Sequence, residues 1–255
     1  MKILIKLGGT LLDAEDSRFR LAGEICEIGA VHQTVVVHGG GKQMTRFLAE
    51  RGVESRFVNG LRVTTPEVID AVVKVLAGSV NAQLVTAFRA AGGRPVGLSG
   101  LSAGLVDAEI LDPELGQVGR PVRCDARLLE VLTRESYLPV VACVAGDSLG
   151  AIYNVNADQM AVACAAAFPA EKVLFLTDVE GVRDGEGKIR TTLTTAEARS
   201  LINEGVATGG MQAKLEAAMD ALMKGVAEVR IGPGATPGIV RQLMEGAPVG
   251  TKLTV

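Results

Sequence analysis

Apolar residues recur along this chain in two alternating rhythms: short unbroken runs, and longer stretches in which they return every three or four positions. The first rhythm predicts buried strands and the second predicts amphipathic helices. Lys2 to Leu7 and Thr34 to His38 read as strands, and Glu15 to Ile28 and Lys42 to Gly52 as the helices that follow them. Phe57 to Thr64 reads as a hairpin turning at Asn59-Gly60. Thr65-Pro66 then caps a long helical pattern to about Ala91, with proline at the favoured first position. Pro95 to Ser99 resumes a strand. Val106 to Leu111 and Gln117 to Val122 form a β-excursion around Asp112 to Gly116, before a helix from Ala126 to Glu135 and a strand from Leu138 to Val144.

The second half keeps the style without an internal repeat. A helix is predicted over Ala157 to Phe168, a strand over Lys172 to Thr177, a turn-rich stretch over Asp178 to Lys188, and a helix over Ala196 to Glu204. Thr194 and Glu197 make a capping box for that helix, and Gly205 stops it. A helix from about Met211 to Lys224, a strand Glu228 to Ile231, a Gly/Pro-rich loop, a helix Gly238 to Met244 and a terminal strand complete the pattern. Strands alternating with helices predict an α/β sandwich on a mostly parallel sheet. No low-complexity linker divides the chain. It reads as one unit, residues 1–255, with lobes of about 1–150 and 151–255 joined near the apolar run at 138 to 156.

Composition narrows the chemistry. A net charge of −3 offers no basic field for nucleic acid or an anionic membrane. The four cysteines, Cys26, Cys124, Cys143 and Cys164, lie far apart without metal-like spacing and read as reduced thiols in a cytoplasmic protein. The runs Met160 to Phe168 and Leu138 to Val144 are too short to span a bilayer, and the N-terminus lacks a secretory pattern.

Three glycine-bearing segments carry the strongest signal: Lys6-Leu7-Gly8-Gly9, His38-Gly39-Gly40-Gly41, and Gly209-Gly210-Met211-Gln212-Ala213-Lys214. Each stands where a strand or turn hands over to a helix, so bare N–H groups and a nearby lysine suit a phosphate. No stretch fits a P-loop, and Gly39 to Met44 fails the dinucleotide glycine fingerprint. Two histidines, His32 and His38, leave little for a His-based triad or a zinc site, and no G-x-S-x-G elbow occurs. His38 reads as a strand-end residue that orients the glycine loop.

What remains is lysines, glycine amides and a carboxylate, which suits phosphoryl transfer by positioning and charge neutralisation. An acceptor carboxylate is already ionised at neutral pH and needs no general base. Its repulsion from a γ-phosphate, roughly 4 kcal/mol for unit charges about 4 Å apart at intermediate dielectric, is what paired lysines would offset.

The segments Asn59 to Thr64 (Asn-Gly-Leu-Arg-Val-Thr), Asn154 to Asp158 (Asn-Val-Asn-Ala-Asp) and Thr177 to Val182 (Thr-Asp-Val-Glu-Gly-Val) join the three glycine segments in a fixed order. Over essentially the whole chain this resembles the amino acid kinase family, and within it the acetylglutamate kinases. The resemblance implies a three-layer αβα sandwich around an open, mainly parallel eight-stranded sheet. It also implies transfer of the ATP γ-phosphate to the side-chain carboxylate of N-acetyl-L-glutamate, a step of arginine synthesis. The acyl-amino acid would sit in the N-terminal lobe and ATP, bringing Mg²⁺, in the C-terminal lobe.

By that resemblance, Lys6 and Lys214 flank the transferred phosphoryl group, Asp158 holds the two lysines, and Gly9, Gly40 and Gly41 cradle the reacting oxygens with their N–H groups. Arg62 clamps the α-carboxylate, with Asn154 and Asn156 beside it. Thr177, Asp178, Val179, Gly181, Val182, Thr208, Gly209 and Gly210 receive the nucleotide, and no protein metal cage is expected. Each residue also has a plainer reading. Lys6 suits a snorkelling strand end, Asp158 a helix start capped by Asn156, Arg62 an exposed hairpin, and Thr177 to Val182 a connector. Lys214, read as lying in the first turn of its helix, opposes the helix dipole unless an anion sits there.

Two departures stand out. Gly100-Leu101-Ser102-Ala103-Gly104 replaces the Gly-Lys-Asp-Gly common in these kinases, and Ala82 follows Asn81 where lysine is usual. The first leaves an N-succinyl-glutamate or aminoadipate kinase open. A non-catalytic amino-acid or nucleotide sensor on the same fold is a further alternative. The start at the first strand, without the helical extension of arginine-inhibited hexamers, implies a homodimer without arginine feedback, using either the outer face of the 66 to 91 helix or leaving that face to the core.

Overall fold

The computed structural model describes residues 1–255. The chain opens β1 (Lys2–Leu7), α1 (Glu15–Gly29), β2 (Gln33–His38), α2 (Gly41–Ala49) and the hairpin β3 (Phe57–Val58) and β4 (Leu61–Arg62). A helical segment from Pro66 to Ala90 follows: α3 (Pro66–Val72), a wide π-turned stretch Val73–Val80, and α4 (Asn81–Ala90). Thr65 caps it by accepting from the Val68 N–H, with Pro66 at the first position where no donor is missed. Then come β5 (Pro95–Ser99), β6 (Val106–Ile110), β7 (Val118–Cys124), α5 (Arg127–Arg134), β8 (Leu138–Ala142), β9 (Val144–Gly146) and β10 (Ile152–Val155). The remainder is α6 (Ala157–Ala167), β11 (Lys172–Thr177), β12 (Thr192–Thr194), α7 (Thr195–Asn203), α8 (Gly209–Met223), β13 (Glu228–Pro233), α9 (Ile239–Glu245) and β14 (Thr251–Thr254).

Eight strands form one sheet in the order β12-β14-β13-β11-β1-β2-β8-β5, parallel except between β13 and β14. Helices cover both faces, giving the α/β sandwich that the alternation predicts. β1 lies between β11 and β2, with Lys6 level with Phe175 on one side and Val37 on the other. The chain winds away from β1 in both directions, so a crevice opens beyond the carboxyl ends of these central strands, where ligands bind in open α/β sheets. The core is one contiguous apolar cluster of 66 buried residues drawn from both halves of the chain.

A second small β structure stands beside the sheet: β10, β7, β6 and β9 close into a four-stranded barrel. It corrects one expectation. Leu138 to Val144 is not one strand, because β8 pairs with β2 and β5 in the main sheet, the chain turns at Cys143, and β9 joins the barrel. Every residue from Leu138 to Gly146 is buried, so the hydrophobic pattern carries no mark of the switch. β10 and β12 are short and were not anticipated.

The expectation that no apolar run could span a membrane also needs amending. The helix Pro66–Ala90 is long and apolar enough by composition to do so. It packs instead on the fold: Val68, Val72, Leu76, Val80, Leu84 and Phe88 are buried against the core, and Asn81 hydrogen-bonds into the sheet.

Candidate active site

Three elements deliver charge to one point beyond β1. Lys6 comes from the end of β1, Asp158 from the first turn of α6, and Lys214 from α8, which packs on α6. Asn156 caps α6, its Oδ1 accepting from the N–H groups of Asp158 at 2.8 Å and Gln159 at 3.3 Å. The positive end of that helix favours a carboxylate in its first turn. The Lys6 Nζ lies 2.6 Å from Asp158 Oδ1, and the Lys214 Nζ lies 3.5 Å from Oδ2. Both the cap and the ion-pair readings of this segment are therefore present together.

Burial acts to raise the Asp158 pKa, yet Lys6 and then Lys214 overcome it and hold the carboxyl below its ordinary value. Lys214 is drawn below the usual lysine range, first by burial and also by Lys6, with Asp158 opposing. One carboxylate facing two ammonium groups leaves an excess positive charge.

Lys214 is the sixth residue of α8, not in its first turn, because the helix begins at Gly209 rather than Met211. Its side chain leans back toward the helix start, as helical side chains do, and its Nζ lies 3.5 Å from the Gly210 carbonyl. The open N–H groups of the helix start belong to Gly209 and Gly210. Nothing would crowd a Cβ at either, although Gly209 holds a φ of +53°, which favours glycine.

The glycine loops meet edge to edge. A Cβ on Gly9 would lie 2.9 Å from the Gly41 nitrogen, and one on Gly8 3.1 Å from the Leu176 carbonyl oxygen, so only bare backbone fits between the ends of β1, β2 and β11. The Gly40 N–H has no acceptor within the protein. Gln43 donates to the Gly9 carbonyl at 3.2 Å. His38 Nδ1 lies 2.9 Å from the Gly39 carbonyl, in keeping with the orienting role read from the sequence.

Beside this cradle a cavity of about 170 Å³ is lined by Gly39, Gly40, Gly41, Arg62, Asn154 and Asn156 over an apolar floor of Met44, Leu76 and Val118. Arg62 is buried, not an exposed hairpin arginine. It donates to Ser55, to the Gly41 carbonyl at 3.0 Å and to Thr45 Oγ1 at 2.8 Å, with the Phe57 ring 4.6 Å away. No carboxylate pairs with it, and burial lowers its pKa. A guanidinium withdrawn from water without a counter-charge is a ready seat for an anion. Asn154 donates to Thr64 Oγ1 at 3.0 Å, tying the barrel to the hairpin.

The cavity runs into a cleft of about 780 Å³, sharing Gly60, Leu61 and Asn156 with it and reaching Gly209, Gln212 and Ala213 on α8. Thr177 ends β11 and its hydroxyl donates to Asp178 at 3.1 Å. Asp178 and Val179 are exposed. Gly181 and Val182 are not: the Val182 side chain is in the core, its N–H donates to Thr251 Oγ1 at 2.8 Å, and Gly181 packs on the same threonine. Thr208 precedes α8 without a side-chain capping bond. The 100 to 104 departure lies outside the 170 Å³ cavity. Another open cleft, about 690 Å³, lies at the far end of the sheet, where Arg94 is already engaged with the Glu135 carbonyl and the Tyr137 ring.

Residues 1–233 match the amino acid kinase family. The chain belongs to the amino acid kinase family. It is 60% identical over 254 residues, 99% of either chain, to the acetylglutamate kinase of Solibacter usitatus, and 41% identical to that of Acidobacterium capsulatum over 95% of each. Among solved structures it is similar to smu.665 of Streptococcus mutans, with 28% identity, a TM-score of 0.84 and coverage of 99% and 98% of the two chains. The N-acetylglutamate synthase of Neisseria gonorrhoeae shares the fold at a TM-score of 0.88 and 23% identity, this chain spanning 59% of that one.

Membership in this kinase family makes phosphoryl transfer the class of chemistry to be read at the crevice. Several contributors escaped the sequence reading. Gln43, Thr45, Ser55 and Asn81 touch predicted site residues through side chains distant in sequence, and periodicity gives no signal for such contacts.

Proposed function

We propose that this amino acid kinase transfers the γ-phosphate of ATP to the side-chain carboxylate of N-acetyl-L-glutamate, giving the acyl phosphate and ADP. The observation that carries the reading is the pair of lysines, Lys6 buried and Lys214 half-buried, sharing one buried aspartate beside a free glycine N–H, with an unpaired buried Arg62 across the cradle. That is an anion trap at both ends of a short acceptor. The 60% identity to an acetylglutamate kinase supports the same acceptor class.

In this reading Arg62 holds the α-carboxylate, Asn154 and Asn156 face the acylamino group, and the compact cavity favours an acetyl group over longer acyl chains. The acceptor carboxylate attacks phosphorus as it stands, already ionised. Lys6 and Lys214 neutralise the charge that builds as the two anions approach, and the amides of Gly9, Gly40 and Gly41 hold the oxygens in line. The nucleotide lies beyond the carboxyl end of β11 and over the start of α8, against Asp178, Val179, Thr208, Gly209 and Gly210, with Thr177, Gly181 and Val182 shaping the turn beneath it. No three acidic, histidine or cysteine side chains gather into a cage, and Asp158 is occupied by lysines, so the donors available suit Mg²⁺ carried on phosphate oxygens and water. A homodimer through the outer face of Pro66–Ala90 belongs to the same proposal, to be measured by sedimentation.

The test is ADP release with ATP, Mg²⁺ and a panel of acetyl-, succinyl- and formyl-glutamate, aminoadipate derivatives, aspartate and carbamate. Acetylglutamate should give the highest kcat/KM, and Lys6→Ala or Lys214→Ala should cut kcat far more than they raise KM. Saturable binding of acetylglutamate and ATP without product would replace the kinase with a sensor.

A further inference from the structure

We propose that Asn81 and His38 form a positioning pair that aims the Gly40 N–H into the reacting centre, an inference that rests on the kinase reading above. A trans peptide plane points its C=O and N–H in opposite directions. Whatever grips the Gly39 carbonyl therefore sets the direction of the Gly40 N–H, a donor that finds no acceptor in the protein.

The grip comes from His38, completely buried, whose Nδ1 lies 2.9 Å from that carbonyl. A carbonyl only accepts, so Nδ1 carries the proton. The opposite nitrogen, Nε2, lies 3.0 Å from the Asn81 side-chain amide nitrogen. That end of Asn81 also faces the Val140 carbonyl at 2.9 Å and the Leu98 carbonyl at 3.4 Å, which identifies it as the donor NH₂. Asn81 thus leaves Nε2 no choice but to accept and fixes the imidazole in the Nδ1–H tautomer, one step removed from the glycine loop.

The fold makes room for this pair. The π-turned stretch Val73–Val80 ends at Asn81, and i→i+5 winding brings Leu76, Val80 and Asn81 to the same side. Leu76 and Val80 press on Gly40, where a Cβ would lie 2.5 Å and 3.4 Å from them, while Asn81 reaches His38 beneath. Gly97 has no side chain where Asn81 Oδ1 passes, and a Cβ there would collide with it. Neither residue touches substrate in this arrangement; both act through the Gly39–Gly40 peptide.

The test exploits the geometry of the amides. Asparagine places its NH₂ where Nδ1 stands, so His38→Asn keeps the bond to Gly39. His38→Gln reaches only the Nε2 side and loses it. Expected is a kcat within about threefold of wild type for His38→Asn, and one lower by about 10- to 100-fold for His38→Gln, with both KM values within about threefold. Asn81→Leu should resemble His38→Gln, and thermal unfolding separates loss of fold from loss of turnover. With only two histidines in the chain, ¹⁵N NMR of the wild type and of His32→Gln assigns the His38 ring, expected as Nδ1–H. The Gly40 amide resonance should move in His38→Gln and not in His38→Asn. An Nε2–H tautomer, equal kcat in the two His38 variants, or a Gly40 amide indifferent to both overturns the pair. A wild type that turns over no acyl-glutamate instead sinks the kinase reading, and the tautomer and amide measurements still decide the pair.

Discussion

Asp158 has to neutralise two cations with one charge, and its replacement separates what each lysine owes it. In Asp158→Asn the ammonium groups of Lys6 and Lys214 face each other with no counter-charge. Lys214, already drawn down by burial and by Lys6, loses the main partner that opposes the fall and keeps only the lesser pull of Asp178. Its ammonium form then gives way at lower pH, so the alkaline limb of the kcat profile should move to lower pH than in the wild type. An unmoved limb would mean that the lysine charge is not what turnover needs. Removing one partner of a buried pair also costs about 3 to 5 kcal/mol, so denaturant unfolding of Asp158→Ala should show a loss of that order. Arg62 calls for a different readout. Arg62→Lys keeps the charge and gives up the planar fork now spread over Ser55, Gly41 and Thr45. The KM for acetylglutamate should rise about 10- to 100-fold, the worth of one charged hydrogen bond, with kcat nearly unchanged.

At the scale of elements, the π-turned stretch and the glycine loop fit only as a pair. The φ of Gly40, 167°, is extended backbone open to any residue, so the need for glycine there is steric and comes from Leu76. Gly40→Ala should cost about 1 to 3 kcal/mol through overpacking, and Leu76→Ala in the same chain should recover part of it. Strictly additive losses in denaturant titrations of the two single variants and the double would separate the loop from the helix. The helix itself was legible from Thr65-Pro66 and its apolar period, but its wide turns were not, because winding at i→i+5 leaves the residues unchanged and alters only which of them share a face. The same limit hid the β8–β9 switch, where burial on all sides erases alternation. The Thr194–Glu197 box and the Asn156 cap, by contrast, are local and appear as read. At the site, Lys6, Asp158 and Lys214 were found through glycine context and resemblance. Asn81 and Gln43 were not, since their partners are brought to them only by the folded sheet.

Across the whole molecule, acid should weaken the fold earlier than its carboxylates alone would dictate, and His38 is the reason. Burial, opposed by its bond to Gly39, pulls its pKa from 6.5 to about 4. The unfolded chain therefore binds a proton at His38 as pH falls through about 6.5, while the native chain stays neutral, and stability declines with it. The loss runs from about pH 6.5 to about pH 4 and amounts to about 3 kcal/mol. His32, also lowered by burial, adds in the same direction. The carboxylates respond at more acid pH. Glu228 is held at about 2 because Arg230, Lys252 and Lys172 outweigh its burial, and Asp158 is held below its usual value by its lysines, so their contributions persist above pH 4 and fail beneath it. Urea titrations at intervals from pH 7.5 to pH 4 should thus show a slope in the wild type that His38→Asn flattens, because that variant has no proton to gain there. Equal slopes would place the imidazole charged in the folded protein, and a charged ring donates from both nitrogens, so the Asn81 amide could no longer donate to it.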